Sequence, residues 1–283
     1  MEERGRRFPS ARLLISGAGV LAAGLLLVAA LPAVERSFIY FPMRELDARP
    51  EDFGLRSEEL RLPTPDGTSL HGWWIRAEGK LALLYFHGNG GNISHRLERV
   101  KSLVEALGLD VFLVDYRGYG RSTGTPSEKG LYEDGETVHR AAVERGFAPG
   151  RIVLFGESLG CAVAIELALR RNCRALILET PFLSVPAMAK AVYPFLPRFL
   201  VRTRYDNEAK IASVAAPKLI VQAERDGIVP PSHAPRLMEL APEPKEFYSI
   251  RGATHNDTYV VGGDAYLDVW RRFLGSLSEA PAP

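Results

Sequence analysis

The sequence predicts an α/β fold: a doubly wound, mostly parallel sheet with helices on both faces, preceded by one N-terminal transmembrane helix. Three observations predict it. Strand-length apolar runs alternate with helical patterns from about residue 58 onward. The later runs are continuously apolar, as strands buried on both faces require. Residues 13–34 carry no charged side chain. Composition agrees: 46% hydrophobic and 24% charged residues mark a globular chain with enough apolar material for a core.

The elements follow in chain order. The run LLISGAGVLAAGLLLVAALPAV, 13–34, is long enough to cross about 30 Å of hydrocarbon as a helix. Arg4, Arg6, Arg7 and Arg12 precede it, and basic residues are sparser after it. That bias keeps residues 1–12 in the cytoplasm and places 35–283 outside it. A cleaved secretory signal is the alternative, because Ala30 and Ala33 suit a signal peptidase. The cluster Phe38, Ile39, Tyr40, Phe41 then either anchors at the lipid–water boundary or packs on the globular domain.

Candidate strands are Glu59–Leu62, Leu70–Ile75, Leu81–Phe86, Val111–Tyr116, Ile152–Phe155, Ala175–Leu178, Leu219–Ala223 and Glu246–Ile250. The first two flank Pro65-Asp66-Gly67 and read as a hairpin. Ile93, Leu97, Val100, Val104 and Leu107 form one helical stripe. Further helices are expected near 127–145, over 161–171 and over about 265–277. Between residues 180 and 217 prolines interrupt an apolar stretch. It reads either as a small cap that binds an acyl chain or faces lipid, or as ordinary packing on the sheet.

Several function classes drop out. The formal net charge is +1, from 35 basic and 34 acidic side chains, so nothing in the charge balance favours nucleic acid. Two cysteines make neither a disulfide framework nor a zinc module. A helix between Cys161 and Cys173 would separate them by about 18 Å, and a disulfide needs Cα atoms within about 7 Å. There is no H-E-x-x-H and no Walker A sequence, so no metal or organic cofactor is expected.

Ile152-Val153-Leu154-Phe155 runs straight into Gly156-Glu157-Ser158-Leu159-Gly160, and a helix follows. A G-x-S-x-G turn between strand and helix pushes the serine hydroxyl out above the sheet. The bare pattern is weak, and the strand–turn–helix context carries the reading. Without that chemistry the turn would be a glycine-bounded helix cap. Ser158 also lies at a helix N-terminus, where backbone N–H groups favour negative charge. The N–H of Leu159 is one expected oxyanion donor. The other is the N–H of Asn89 in His87-Gly88-Asn89-Gly90-Gly91-Asn92, the loop after the third strand. Asn92 is expected to cap the next helix. A dinucleotide reading of this loop fails, because Ile93 holds the last position of G-x-G-x-x-G.

A serine nucleophile needs a base, and the base needs an orienting group. His233 and His255 are the only histidines after Ser158. His255 follows the last strand in a glycine-containing loop, whereas His233 reads as a solvent-exposed or capping residue. His255 is the expected base. Asp226 lies just beyond the strand Leu219–Ala223 and is the expected acid, with Glu224 and Glu179 as rivals. Asp115, Arg117 and the turn at 118–120 read as structural.

Together the segments resemble the α/β-hydrolase superfamily, and within it membrane-anchored serine hydrolases with an HGNxGN loop. The segments are TPDG at 64–67, HGNGGN at 87–92, DYRGYGRS at 115–122, GESLG at 156–160, ERDGIVP at 224–230 and HNDTY at 255–259. The resemblance spans about residues 38–275 and implies a sheet of about eight strands. It matches Ser158, Asp226 and His255 to a catalytic triad, and Asn89 and Leu159 to the oxyanion positions. Cys161 departs from the family, which usually has Gly or Ala there. The implied activity is ester or thioester hydrolysis on a small-molecule or lipid acyl substrate. Amide hydrolysis and a non-catalytic anchored binding module are the alternatives. Oligomeric state does not follow from the sequence.

Overall fold

The computed structural model describes residues 31–277. The chain divides into two compact units, Met1–Ile39 and Tyr40–Pro283. Of the first, residues 31–39 are described and are helical (α1). The apolar run 13–34 lies outside the described residues except for its last four. Among the described residues, no helix is long and apolar enough to cross a membrane.

The second unit is built on one eight-stranded sheet. Its strands are β2 (Ser57–Pro63), β3 (Ser69–Ile75), β4 (Ala82–Phe86), β6 (Asp110–Val114), β7 (Ile152–Glu157), β8 (Ala175–Glu179), β9 (Lys218–Ala223) and β10 (Lys245–Ile250). They lie in the order β10-β9-β8-β7-β4-β6-β3-β2. The β2–β3 and β3–β6 pairs are antiparallel, and every other pair is parallel. The hairpin is the expected one: Pro65-Asp66-Gly67 joins β2 to β3, with Gly67 at φ 84°. Two short strands outside this sheet, β1 (Phe41–Pro42) and β5 (Gly90–Gly91), pair in parallel.

The helices are α2 (Leu97–Leu107), α3 (Glu128–Glu144), α4 (Leu159–Arg170), α5 (Val185–Val192), α6 (Asn207–Ile211), α7 (His233–Leu240) and α8 (Thr258–Ser276). Strand alternation decides which face each covers. Leu83, Tyr85, Val153, Phe155, Ile177, Leu219 and Val221 point to one face, where Leu97, Val100 and Leu103 of α2 meet Val269, Trp270 and Phe273 of α8. On the other face α3 and α4 pack together, α4 lies on β7, and α6 lies between α4 and α7. Strands covered on both sides are buried at every position, as in β4, β6 and β8, where only the terminal Asp110 of β6 and Glu179 of β8 are charged.

This order positions the site. From β4 the chain passes through α2 to β6 on one side. It then crosses through α3 to β7 on the other side of β4. The connections therefore diverge between β4 and β7, and a crevice opens at the C-terminal ends of those two strands. The loop 87–92 leaves β4 there, and Ser158 leaves β7.

Two expectations change, and one open alternative narrows. The last helix begins at Thr258 rather than near 265, and it bends at Gly263, whose φ is 47°. Thr258 is fully buried, so tertiary contacts hold the added turn in place. His233 is buried, with only 6% of its surface exposed, because α7 closes against the sheet. Its Nδ1 accepts the Leu183 N–H at 3.4 Å. In the cluster 38–41, Tyr40 is buried and Phe41 enters β1, which pairs with β5 inside the HGNGGN loop.

Candidate active site

Ser158 sits between β7 and α4 at φ 52°, ψ −112°, a conformation costly for any residue with a Cβ. The turn closes only because its flanks are small. A Cβ on Gly160 would run into the backbone carbonyl of Phe86, and one on Gly156 would lie 2.5 Å from the backbone of Cys161. The Ser158 N–H donates to the Glu179 carbonyl at 2.9 Å, which ties the turn to the neighbouring strand. Cys161 fits behind it: its thiol lies 3.0 Å from the Gly156 carbonyl and 3.2 Å from that of Glu179. Burial holds the Cys161 thiol far above its ordinary range, so it stays protonated.

Three of the expected site residues come together. His255 Nε2 lies 3.0 Å from Ser158 Oγ, and His255 Nδ1 lies 2.7 Å from Asp226 Oδ2. The His255 and Asp226 side chains are 9% and 4% exposed, so this pair is shielded from competing water. Asp226 is pinned by its own loop. Its Oδ1 accepts the N–H groups of Ile228 and Val229, both at 2.8 Å, which leaves Oδ2 for the imidazole. The rivals are engaged elsewhere. Glu224 accepts the Gly252 N–H at 2.7 Å and so braces the loop that carries His255. Glu179 is fully buried behind the turn and bonds to Arg99, Thr258 and Tyr266.

The loop 87–92 is held on every side. His87 Nδ1 lies 2.8 Å from the Gly88 carbonyl. The Asn89 carbonyl accepts from the Tyr119 hydroxyl at 2.8 Å and from the Phe41 N–H at 2.9 Å. The peptide planes on both sides of Asn89 are thus fixed, including the one that carries its N–H. Asn92 caps the short helical turn Ile93–Arg96 through the Ser94 N–H, and its amide reaches the carbonyls of Met43 and Glu45. Burial lowers the His87 pKa to about 4, so that ring is neutral. Leu159 is the first residue of α4, where leading N–H groups have no acceptor within the helix.

A buried charge network behind the serine escaped the sequence reading. Glu157 accepts from the Tyr85 hydroxyl at 2.7 Å and from Arg96 Nε at 2.9 Å. Arg96 also reaches the Gly90 carbonyl at 3.2 Å, linking the two loops of the crevice. Arg99 donates to Glu179 at 2.7 Å and to Thr258 at 3.1 Å. The available signal was an R-x-x-R pair, Arg96 and Arg99, straddling the start of α2.

This network has a pH consequence. Burial pushes the Glu157 carboxyl up, but the Arg96 and Arg99 charges outweigh it and leave it at about 2, against an ordinary 4.5. The stabilisation is present above pH 4.5 and is lost as the pH falls toward 2, in all roughly 3 kcal/mol. Urea unfolding at pH 7 and pH 3 should show a smaller acid-induced loss for Glu157→Gln than for the parent chain. Equal losses would exclude the charge on Glu157 as the cause.

The comparisons place this architecture. The family model described as "Serine aminopeptidase, S33" matches residues 77–214. The Arabidopsis thaliana alpha/beta hydrolase domain-containing protein WAV2 is 32% identical, over 90% of this chain and 91% of its own. The chain belongs to the α/β-hydrolase superfamily. Another relative of this hydrolase is a Saccharomyces cerevisiae protein named as an uncharacterized membrane protein, 34% identical over 80% of this chain and 82% of its own. Among solved structures, the Pyrococcus furiosus esterase Pf2001 superposes with a TM-score of 0.71. It is 19% identical and covers 84% of this chain and 98% of its own, a likeness of fold.

Proposed function

We propose that this α/β hydrolase is a membrane-tethered serine hydrolase that cleaves carboxylic esters or thioesters through an acyl-enzyme on Ser158. One observation carries the reading: hydroxyl, imidazole and carboxylate follow one another at 3.0 and 2.7 Å above the β7–α4 turn. Ser158 Oγ attacks the carbonyl carbon while His255 Nε2 takes its proton. Asp226 holds the Nδ1–H tautomer and stabilises the imidazolium that forms. The N–H groups of Leu159 and Asn89 receive the oxyanion. Collapse expels the alcohol or thiol, which leaves with the proton from His255. Water, activated by the same imidazole, then releases the acid and restores the serine.

Amide hydrolysis is the second reading, favoured by the aminopeptidase description of the matching family model. Tethering through residues 13–34, with the catalytic unit outside the cytoplasm, rests on that uncharged run and its arginine-rich N-terminal flank. The yeast relative's name points the same way.

A fluorophosphonate probe tests the chemistry. The full chain should be labelled, and Ser158→Ala should abolish labelling. An unlabelled folded chain would instead favour a binding module. A panel of ester, thioester and amide substrates then ranks the bond types.

A further inference from the structure

The segment Pro181–Tyr205 is set apart by composition. It contains four basic residues, Lys190, Arg198, Arg202 and Arg204, and no acidic one, although the whole chain is nearly neutral. Its ends are stitched together. The Val185 N–H donates to the Arg204 carbonyl at 2.9 Å, and the Glu208 N–H donates to the Leu183 carbonyl at 3.0 Å. Asn207 further ties the base by donating to the Phe182 carbonyl at 2.8 Å. The residues between form an excursion beyond the sheet.

Five of its apolar side chains face outward, while Phe182 and Val201 near its ends are buried. Phe195 is 96% exposed and Phe199 81%, with Val192, Tyr193 and Leu196 also exposed. Packing on the sheet would have buried them, and a pocket for an acyl chain would have enclosed them. Single exposed apolar residues need no explanation, but a run of five within eight positions marks an interaction surface. Exposed aromatic and aliphatic side chains in a segment whose own charges are all basic suit an anionic lipid surface, and the carboxylates that touch it, Glu128 and Asp206, sit at its base beside Arg204. Of the flanking charges, Arg204 pairs with Asp206 at 3.5 Å, and Lys190 remains exposed.

Chain length limits how far this segment can lie from the apolar run 13–34. The Tyr205 hydroxyl bonds to that of Tyr40 at 2.9 Å. Tyr40 follows the end of the apolar run at Val34 by six residues, which span at most about 20 Å when extended.

We propose that the excursion Pro181–Tyr205 docks onto an anionic bilayer surface, with Phe195 and Phe199 inserted among the lipids. The proposal takes its geometry from the tether reading above. Docking would bring the Ser158 crevice to the lipid–water boundary, where acyl esters are concentrated.

The test uses the full chain in a Cys173→Ser background, reconstituted into phosphatidylcholine vesicles with or without phosphatidylserine. A polarity-sensitive dye is attached at Phe195→Cys, at Phe199→Cys, or at Lys101→Cys on α2, on the opposite face of the sheet. Only chains with the parent melting profile are compared. Lipid-borne nitroxide should quench the dyes at 195 and 199 at least twofold more than the dye at 101, and more strongly with phosphatidylserine present. Equal quenching at all three positions, with the chain retained on the vesicles, would overturn the proposal. Concentration-dependent self-quenching at 199 in detergent would assign the patch to a second copy and overturn it as well. If an alkaline wash strips the chain from vesicles, the tether reading fails. The same quenching comparison, with chain added from outside, then decides docking by itself.

Discussion

Ser158→Ala and His255→Ala each lower kcat by roughly 10⁶-fold, and the double variant is no worse than either single one. The expectation follows from how the three groups are coupled. In the proposed acylation step His255 takes its proton from Ser158, 3.0 Å away, and without the hydroxyl that step has neither proton nor nucleophile. Without the imidazole, the hydroxyl is a poor nucleophile at neutral pH. Asp226→Asn should lose about 10⁴-fold, because the amide no longer enforces the Nδ1–H tautomer. A residue of about 10³–10⁴ over water should survive from the oxyanion donors and binding. Single-turnover rates on an activated ester would show this. Losses that multiply in the double variant would mean that serine and histidine act independently, and the mechanism would fail.

Arg99→Met destabilises the fold by about 3–5 kcal/mol, as does any change that breaks a buried ion pair from one side. The Arg99 and Glu179 side chains are 4% and 0% exposed, and their nitrogen and oxygen lie 2.7 Å apart. Glu179 raises the Arg99 pKa far above its usual range, against the opposing effect of burial. Removal of the guanidinium leaves a carboxylate in the core with only the hydroxyls of Thr258 and Tyr266 as partners. The double variant Arg99→Met/Glu179→Gln should recover part of the loss, since it leaves no unpaired charge. Urea unfolding of the two single variants and the double one measures the coupling. A double variant whose loss equals the sum of the singles would show that the pair does not interact.

The same pair bears on the site. The Glu179 carbonyl receives the Ser158 N–H, and its carboxylate receives Thr258, three residues after His255. The network thus fastens the serine and histidine arms to one buried point.

The central strands were legible because burial on both faces leaves an apolar run whatever the tertiary context. Ser158, Asp226 and His255 were legible for a related reason. Each sits in a loop whose own sequence holds it: glycines around the serine, Asx-type bonds from Asp226 to Ile228 and Val229, and a glycine loop after β10. The true start of α8 was not legible. Thr258 and Tyr259 carry no helix signal of their own, and the turn is held by Arg99 from a helix 159 positions earlier. His233 read as exposed because nothing local showed that α7 would close over it.

Local sequence therefore determined the order of strands and helices, the apolar N-terminal run, the tight serine turn and the loops that present the imidazole and carboxylate. These depend on side-chain size, backbone freedom and periodicity, which act within a few residues. The meeting of those loops at the β4–β7 crevice, the Arg99–Glu179 pair across 80 positions and the outward facing of Phe195 and Phe199 were decided only by the folded chain. Burial and ion pairing depend on distance in space, and residues remote in sequence become neighbours only when the sheet closes.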